Sequence, residues 1–578
     1  MNLRSMIEQR LAAGLRAAGA DENAPALVKP SARPEFGDYQ ANGCMAAAKA
    51  LKTNPRQLAQ QVIDAVDLSD VAEKVEIAGP GFINITLSAE MLESQIRKAL
   101  SDPKLGVAPA ATPQIIVVDY SSPNLAKEMH VGHLRSSIIG DAMARVLEFV
   151  GHTVIRQNHV GDWGTQFGML LAYMDTLSVG DQVDVTEKLA DLEAFYRQAK
   201  AKFDQDPEFA DASRKAVVEL QGGNEHYLAL WQRFVSTSLS HCQAVYDRLN
   251  VTLGPENVYG ESQYNGDLPK VVADLEEAGL LTESDGAQCV FLDEFKGKDD
   301  EPLPVIVRKS DGGYLYATTD LAAMRYRARH LGAKRILYVT DSRQALHFAQ
   351  VFAVARKAGF VGQAVSLEHI PFGTMMGPDG KPFATRTGGT LKLIDLLDEA
   401  EKRAAELIDE KSPELDARQR RQVAAVVGTG AVKYADLSQN RTSDYLFNWD
   451  KMISMDGNTA PYMQYAYARV RSIFRKGQLQ ETAAVGDVHI DAPAERALAL
   501  KLAQLPEIIE TVASDCMPNV LCAYLFELAG AFMSFYEACP VLKADEQTRT
   551  SRLMLCLVTA RVIQCGLNLL GIETLEQM

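Results

Sequence analysis

Residues 115–140 read IIVVDYSSPNLAKEMHVGHLRSSIIG, and this stretch changes character twice along its length. The β-branched run Ile115–Val118 is a strand signal, and the polar segment behind it, with Pro123, is a loop. From Leu134 the apolar residues recur at helical spacing: Leu134, Ile138, Ala142, Val146 and Val150 at steps of four, with Ile139, Met143 and Leu147 widening the stripe. The stretch is therefore strand, loop, helix. His130 and His133 are three apart, so they project on similar sides, and Gly132 leaves the backbone between them bare. A helix N-terminus favours anions through its free N–H groups and dipole, and two imidazole donors add to that. The turn is a candidate nucleotide phosphate site. Two histidines at this spacing also occur on ordinary surface helices, so HVGH alone leaves both readings open.

The wider string SSPNLAKEMHVGHLRS, followed at 158–168 by NHVGDWGTQFG, resembles arginyl-tRNA synthetases, a family of class I aminoacyl-tRNA synthetases. HVGH then stands for the HIGH signature of the class. The resemblance extends over nearly the whole chain. It implies a Rossmann-like parallel-sheet catalytic domain, a small N-terminal α/β domain and a C-terminal helical bundle that binds the anticodon.

Composition sets bounds beside it. At 578 residues the chain is too long for one core, so three or four domains are expected. With 47% hydrophobic and 23% charged residues it has the balance of a soluble globular protein, and no apolar run approaches the roughly 18 residues of a membrane span. The start, MNLRSMIEQRLAAGLRAAGA, is amphipathic and carries arginines as organelle presequences do; Glu8 and the continuation favour a domain's first helix. Eight scattered cysteines without a CxxC pair argue against a disulfide framework and against zinc, and point to reduced thiols in a cytoplasmic protein. A net charge of −16 predicts no nucleic-acid partner by itself, so a bound tRNA must meet local basic surfaces.

Taken in order, residues 1–105 read as a small α/β domain: the first helix, then PEFGDYQANGCMAAAKAL, a second helix, and EIAGPGFINITLS as a strand with Gly79–Gly81 as a turn. SDPKLGVAPAATPQ is its linker. Residues 106–390 form the catalytic domain, with alternating strands and helices as a doubly wound parallel sheet requires, and a polar helical insertion at about 174–258 broken at Gly222–Gly223. In its second half, Asp311–Gly313 reads as a hairpin turn, Tyr314–Ala317 as a strand, and a helix begins near Asp320. A further strand, Ile336–Thr340, leads to a helix from about Arg343 to Ala358. Residues 391–455 read as a helical junction and 456–578 as the anticodon-binding bundle.

By spacing alone, Asp320 is a carboxylate at a helix start. The resemblance of YLYATTD and DSRQALH to the family's arginine pocket instead implies that Asp320 takes the substrate guanidinium beside Tyr316 and Gln344, with Asn124 near the main-chain groups of the amino acid. A carboxylate accepts two parallel bonds from a planar guanidinium and so separates arginine from lysine. ATP falls to His130, Gly132 and His133. The glycines of GTMMGPDGKPFATRTGGT (373–390) make it a loop, either on the phosphate side or on the ordinary surface; by the resemblance it holds the place of the class's KMSKS signature in a divergent form, and if PFATR overlies that signature, Thr385 stands where the second lysine belongs. The resemblance implies that Lys127 supplies the missing charge, with Lys381 and Arg386 as secondary contacts. For tRNA, it implies Tyr39, Gln40 and Asn42 at the outer corner, and Tyr462, Tyr465, Arg469 and Arg471 of GNTAPYMQYAYARVRSIFRK at the anticodon, a mix that stacks on bases and neutralises phosphates. A tyrosine-lined core face is the plain alternative.

The implied reaction is an arginine–tRNA ligase using ATP with Mg²⁺, L-arginine and tRNA(Arg), without zinc, organic cofactor or membrane, the expected state being a monomer. Two rivals stand beside it. A synthetase for another amino acid would share the fold, and a catalytically silent RNA-binding paralogue would explain the altered second signature.

Overall fold

The computed structural model describes residues 2–178, 192–297, 300–383, 391–412, 415–481, 484 and 486–578. The chain falls into two compact units. One holds residues up to Ala111 together with Ala405–Tyr434 and Ile453–Met578; the other holds Thr112–Ala404 and Ala435–Met452. The segments read from sequence as N-terminal domain and C-terminal bundle thus share a unit, and the 391–455 junction is divided between the two.

The second unit is built on a four-stranded parallel sheet in the order Ser366–His369, Arg335–Tyr338, Ile115–Asp119, Thr153–Gln157. Ile116, Val117 and Val118 are buried on both faces, which is why this strand reads as a continuous apolar run and not as an alternation. The helix Leu134–Phe149 carries the chain over to Thr153–Gln157, and Gly151, at φ +93°, turns it between them. After the helical insertion the chain returns on the other side of the first strand. The order therefore reverses between Ile115–Asp119 and Arg335–Tyr338, and a crevice opens where their carboxyl ends diverge.

The insertion comprises helices Thr165–Ser178, Leu192–Gln205, Pro207–Gln221 and Glu225–Arg248, the last two separated at Gly223, φ +84°. A three-stranded antiparallel sheet, Leu281–Ser284, Ala287–Val290 and Val305–Arg308, follows it. Its first hairpin turns on Asp285 and Gly286, both at positive φ, the pairing a tight two-residue hairpin demands. The strand expected over Tyr314–Ala317 is cut to a single bridge between Arg308 and Tyr314. The helix begins at Tyr316 instead, because the Thr318 hydroxyl bonds the Val307 carbonyl and ties the first helical turn to the preceding strand. Asp320 accordingly lies one turn inside the helix Tyr316–Arg325, not at its start.

In the first unit, Val28–Pro30, Tyr39–Ala41, Phe82–Leu87 and Ala72–Ala78 form an antiparallel sheet in that order. Helices Leu3–Ala17, Gly43–Leu51, Pro55–Asp64 and Ala89–Ser101 accompany it, and the bundle adds Ala460–Lys476, Pro493–Ala503, Leu505–Asp515, Pro518–Ala538 and Glu546–Leu569. Arg496 of the bundle grips Asp38 through two nitrogens at 2.9 and 2.7 Å and also reaches the Leu87 carbonyl. Contrary to the expectation from apolar runs, Pro518–Ala538 and Glu546–Leu569 are long and apolar enough to cross a membrane; Glu546–Leu569 is largely buried inside the bundle.

Candidate active site

The crevice at the strand reversal is a cavity of about 590 Å³. Asp119, Ser121 and Ser122 line it from the end of one strand, and Val339, Thr340 and Asp341 from the end of its neighbour. Its floor is pinned by the fully buried Arg327, whose Nη2 lies 2.7 Å from Asp119 Oδ2. Ser121 and Ser122 both adopt left-handed backbone, at φ +68° and +47°. Such conformations cost about 1–2 kcal/mol per non-glycine residue, and side-chain bonds offset that here. Ser121 N donates to Ser136 Oγ (2.9 Å), Ser122 N to Asn158 Oδ1 (3.0 Å), and Ser122 Oγ to Asp119 Oδ1 (2.8 Å). The reversal directs the following loop back over the cavity.

That loop ends in the HVGH turn. Val131–His133 is a single 3-10 turn leading into the long helix, with His130 as its cap. Gly132 N donates to His130 Nδ1 (3.0 Å) and His130 N to His133 Nδ1 (3.1 Å), while Val131 N reaches the Leu391 carbonyl. The free backbone donors expected at this terminus are therefore already used. Because each Nδ1 accepts, each neutral ring carries its proton on Nε2, and the imidazoles themselves are the donors left for a phosphate. The rings lie 4.1 Å apart. A Cβ on Gly132 would stand 2.7 Å from His130 Cε1, so this approach requires glycine. Burial, and then the neighbouring His130, push His133 down to about 3; burial and Lys127 lower His130. His133 is thus a neutral hydrogen-bond donor near neutral pH, not a cation.

The cavity brings together Gly132, His133, Asn124, Tyr316, Asp320 and Gln344. His130 and Lys127 do not line it; the Lys127 ammonium rests 4.4 Å above the Tyr196 ring of the insertion. Lys381 is exposed on the turn closed by Gly377 N and its own carbonyl (2.7 Å) and does not line the cavity either. Thr385 and Arg386 lie outside the described residues.

Tyr316 and Asp320, four apart, share one helical face. Gln344 closes the short turn Ser342–Gln344 before the helix Ala345–Lys357. Among the lining residues to which the sequence assigned no role are His159, Glu261 and His347. His347 Nε2 lies 2.6 Å from Asp320 Oδ2. Burial foremost, with Asp320 and Asp162 nearby, pushes the Glu261 carboxyl up to about 7. The GESQYNG segment looks like an ordinary glycine-flanked turn, and only the fold brings its carboxylate to Asp320. His347 had a signal: it stands three residues from Gln344, on the same helical side. A second cavity of about 350 Å³ shares Glu261 and Tyr316 with the first and adds Trp163, Gln221, Asn265 and Tyr314.

In the first unit, Tyr39 is fully buried and its hydroxyl donates to Glu507 at 3.2 Å. It offers no ring face to a base, which corrects the expectation of stacking there. Gln40 is partly exposed and bonds Asn84 (2.8 Å), and Asn42 stands at the N-cap position of the helix Gly43–Leu51 without a side-chain bond to it. Tyr462 packs edge-on against the exposed Phe526. Arg469 donates to the Tyr465 hydroxyl (2.7 Å) and lies over the Tyr536 ring. Arg471 is held by Glu481 (2.6 Å) and Glu576 (3.0 Å).

Comparison with known proteins meets this geometry from outside. Residues 95–449 match the model for the catalytic domain of class I (R) tRNA synthetases, 463–578 the DALR anticodon binding domain, and 2–87 the arginyl tRNA synthetase N terminal domain. Arginine–tRNA ligases of Hahella chejuensis and a Marinomonas species are 60% and 57% identical, each over 578 residues and the whole of both chains. Among solved structures, the arginyl-tRNA synthetase of Plasmodium falciparum superposes with a TM-score of 0.87 at 29% identity, and that of Thermus thermophilus with 0.83 at 27%, each covering both chains completely. A parallel sheet with its crevice at the strand reversal, an HVGH turn on that crevice and full-length identity of this order lead to one conclusion: the chain belongs to the class I arginyl-tRNA synthetase family.

Proposed function

We propose that the cavity at the strand reversal performs the arginine–tRNA ligase reaction, with arginine at Asp320 and the phosphates of ATP at the HVGH turn. The overall activity is that of the family: ATP and L-arginine give arginyl-adenylate and pyrophosphate, then arginine passes to tRNA(Arg) and AMP leaves. The observation that carries the assignment is the meeting, in one cavity, of His133 and Gly132 with Asn124, Tyr316, Asp320 and Gln344 from three distant segments.

In the first step the arginine carboxylate attacks the α-phosphorus in line, so the protein needs no nucleophile of its own; alignment and stabilisation of charge are its tasks. Asp320 and Glu261 hold the guanidinium, Tyr316 and Gln344 flank it, and Asn124 takes the main-chain groups. The Nε2–H groups of His133 and His130 stabilise charge growing on the phosphates, as neutral donors in a desolvated site. Mg²⁺ enters with ATP as the substrate complex. Lys127 swings from Tyr196 to the pyrophosphate, with Lys381 and Arg386 as secondary contacts. In the second step the 2′-OH of the terminal adenosine attacks the adenylate; the aromatic faces of Trp163 and Tyr316 and the amides of Gln221 and Asn265 suit that base. Gln40 and Asn42, then Tyr462, Tyr465 and Arg469, contact the rest of the tRNA, with Arg471 turning from its carboxylates to phosphate. We further assign the four segments 1–105, 106–390, 391–455 and 456–578 to tRNA corner, catalysis, stem contact and anticodon, in a cytoplasmic monomer without zinc, organic cofactor or membrane.

The test is charging by purified protein with ATP, Mg²⁺ and total tRNA, offering each amino acid in turn. Arginine alone is expected to be attached; attachment of any other amino acid in its place overturns the pocket. His133→Ala is expected to slow charging about 100-fold or more with thermal stability and tRNA affinity retained, and undiminished turnover removes the phosphate role.

A further inference from the structure

His347 stands apart from the residues that the resemblance to the family singles out. It lies in the first turn of the helix Ala345–Lys357, while Asp320 lies on the helix Tyr316–Arg325, so the 2.6 Å contact between Nε2 and Oδ2 joins two elements lining the cavity. Both side chains are largely shielded, 19% and 16% exposed. Two rings also meet the imidazole: Tyr316 at 4.8 Å, tilted, and Phe348 edge-on at 5.2 Å. Among the described residues, His347 is the one hydrogen-bond partner of the Asp320 carboxylate.

An ionised carboxylate can only accept, so the bridging hydrogen sits on His347 Nε2. The bond fixes Oδ2 and leaves Oδ1 to face the cavity. Without the bond, the carboxylate rotates about its terminal torsion, and the substrate must order it on binding. The same ring braces Tyr316, the other side chain on that helical face.

We propose that His347 is a positioning residue for arginine recognition: its Nε2–H holds Oδ2 of Asp320 and its ring supports Tyr316, so that Oδ1 is presented to the guanidinium. This rests on the reading of Asp320 as the guanidinium partner. The role is in binding and not in phosphoryl chemistry, since the HVGH turn lies on other elements of the cavity.

Gln and Asn separate the alternatives. The amide nitrogen of a glutamine reaches the place of imidazole Nε2, whereas that of an asparagine reaches only the place of Nδ1. With full-length protein, tRNA and ATP, His347→Asn is expected to raise the arginine KM by about 10- to 100-fold, with kcat within about threefold and the ATP KM unchanged. His347→Gln is expected to bring the arginine KM back to within about fivefold of the unaltered protein. A merely structural histidine would lower kcat through the folded fraction and move both variants alike. Equal arginine KM values for Asn and Gln, or an unchanged KM in His347→Asn, overturn the proposal. Asp320→Ala keeps the two readings apart. If it raises the arginine KM while His347→Asn does not, only the positioning role fails; if it leaves the KM and the selectivity over lysine intact, the pocket itself fails.

Discussion

Glu261 and Asp320 both line the cavity, and two carboxylates near each other repel until a cation lies between them. The Glu261 carboxyl is pushed up to about 7, chiefly by burial and next by Asp320, so it titrates in the neutral range. Between the usual value of 4.5 and about 7 the folded protein holds a proton that the unfolded chain has released, so ionising Glu261 lowers stability as pH rises through that window. A guanidinium favours the ionised form and reverses this. Arginine is therefore expected to bind more tightly as pH rises from about 6 to about 8 and to release protons on binding near pH 6.5. Calorimetry in buffers of different ionisation enthalpy measures that release. Glu261→Gln is expected to abolish it and to weaken arginine by about tenfold or more; proton release that persists in this variant assigns the linkage to another group and removes Glu261 from the guanidinium site.

Among the elements, the loop from Ser121 to Met129 holds two of the proposed substrate contacts, Asn124 and Lys127. A cation over an aromatic face is worth about 0.5–1 kcal/mol at exposed sites, less than a charge-assisted bond to phosphate, so Lys127 can leave Tyr196 at small cost. Lys127→Ala is expected to slow adenylate formation at least about tenfold with arginine affinity nearly unchanged, read by pyrophosphate exchange in the presence of tRNA; an unaffected activation rate removes the compensating role. Strand, loop and helix were legible here because the apolar period shifts from a continuous run to steps of four within one segment. The same rule misplaced Tyr316: a tyrosine and an alanine behind a glycine turn look like a strand, and the Thr318 hydroxyl that starts the helix instead acts through a strand eleven residues back. Glu261 was illegible for a related reason. Its chemistry arises from burial and from Asp320, which lies on a different segment, and no local pattern reports either. The hairpin at Asp285–Gly286 has a local signal, an Asp-Gly pair between two short strands.

Across the whole molecule, order along the chain is a poor guide to which segments fold together. The N-terminal sheet and the C-terminal helices occupy one unit, joined by pairs such as Asp38–Arg496, 458 residues apart, and Tyr39–Glu507, 468 apart. Periodicity identifies many of the helices and strands but is silent on partners at such separations. Tyr39 illustrates the cost to inference, since an aromatic beside Gln40 suggests an RNA contact until its hydroxyl is found on Glu507. Asp38 is 7% exposed and accepts from Arg496 and from Leu87 N (2.7 Å), so removing it leaves a guanidinium and a backbone donor without their anion. The cost of breaking such a partly buried pair is about 2–4 kcal/mol. The cavity, by contrast, belongs wholly to the other unit, which arginine and ATP stabilise by mass action, by about 2.7 kcal/mol at a hundred times the dissociation constant. Calorimetric unfolding is therefore expected to resolve two transitions, one raised by arginine with ATP and one indifferent to them. Asp38→Ala is expected to lower the indifferent transition by about 5 °C or more and to leave the ligand-sensitive one in place; if the ligand-sensitive transition falls instead, or both fall together, the division of the chain into independently stabilised units is wrong.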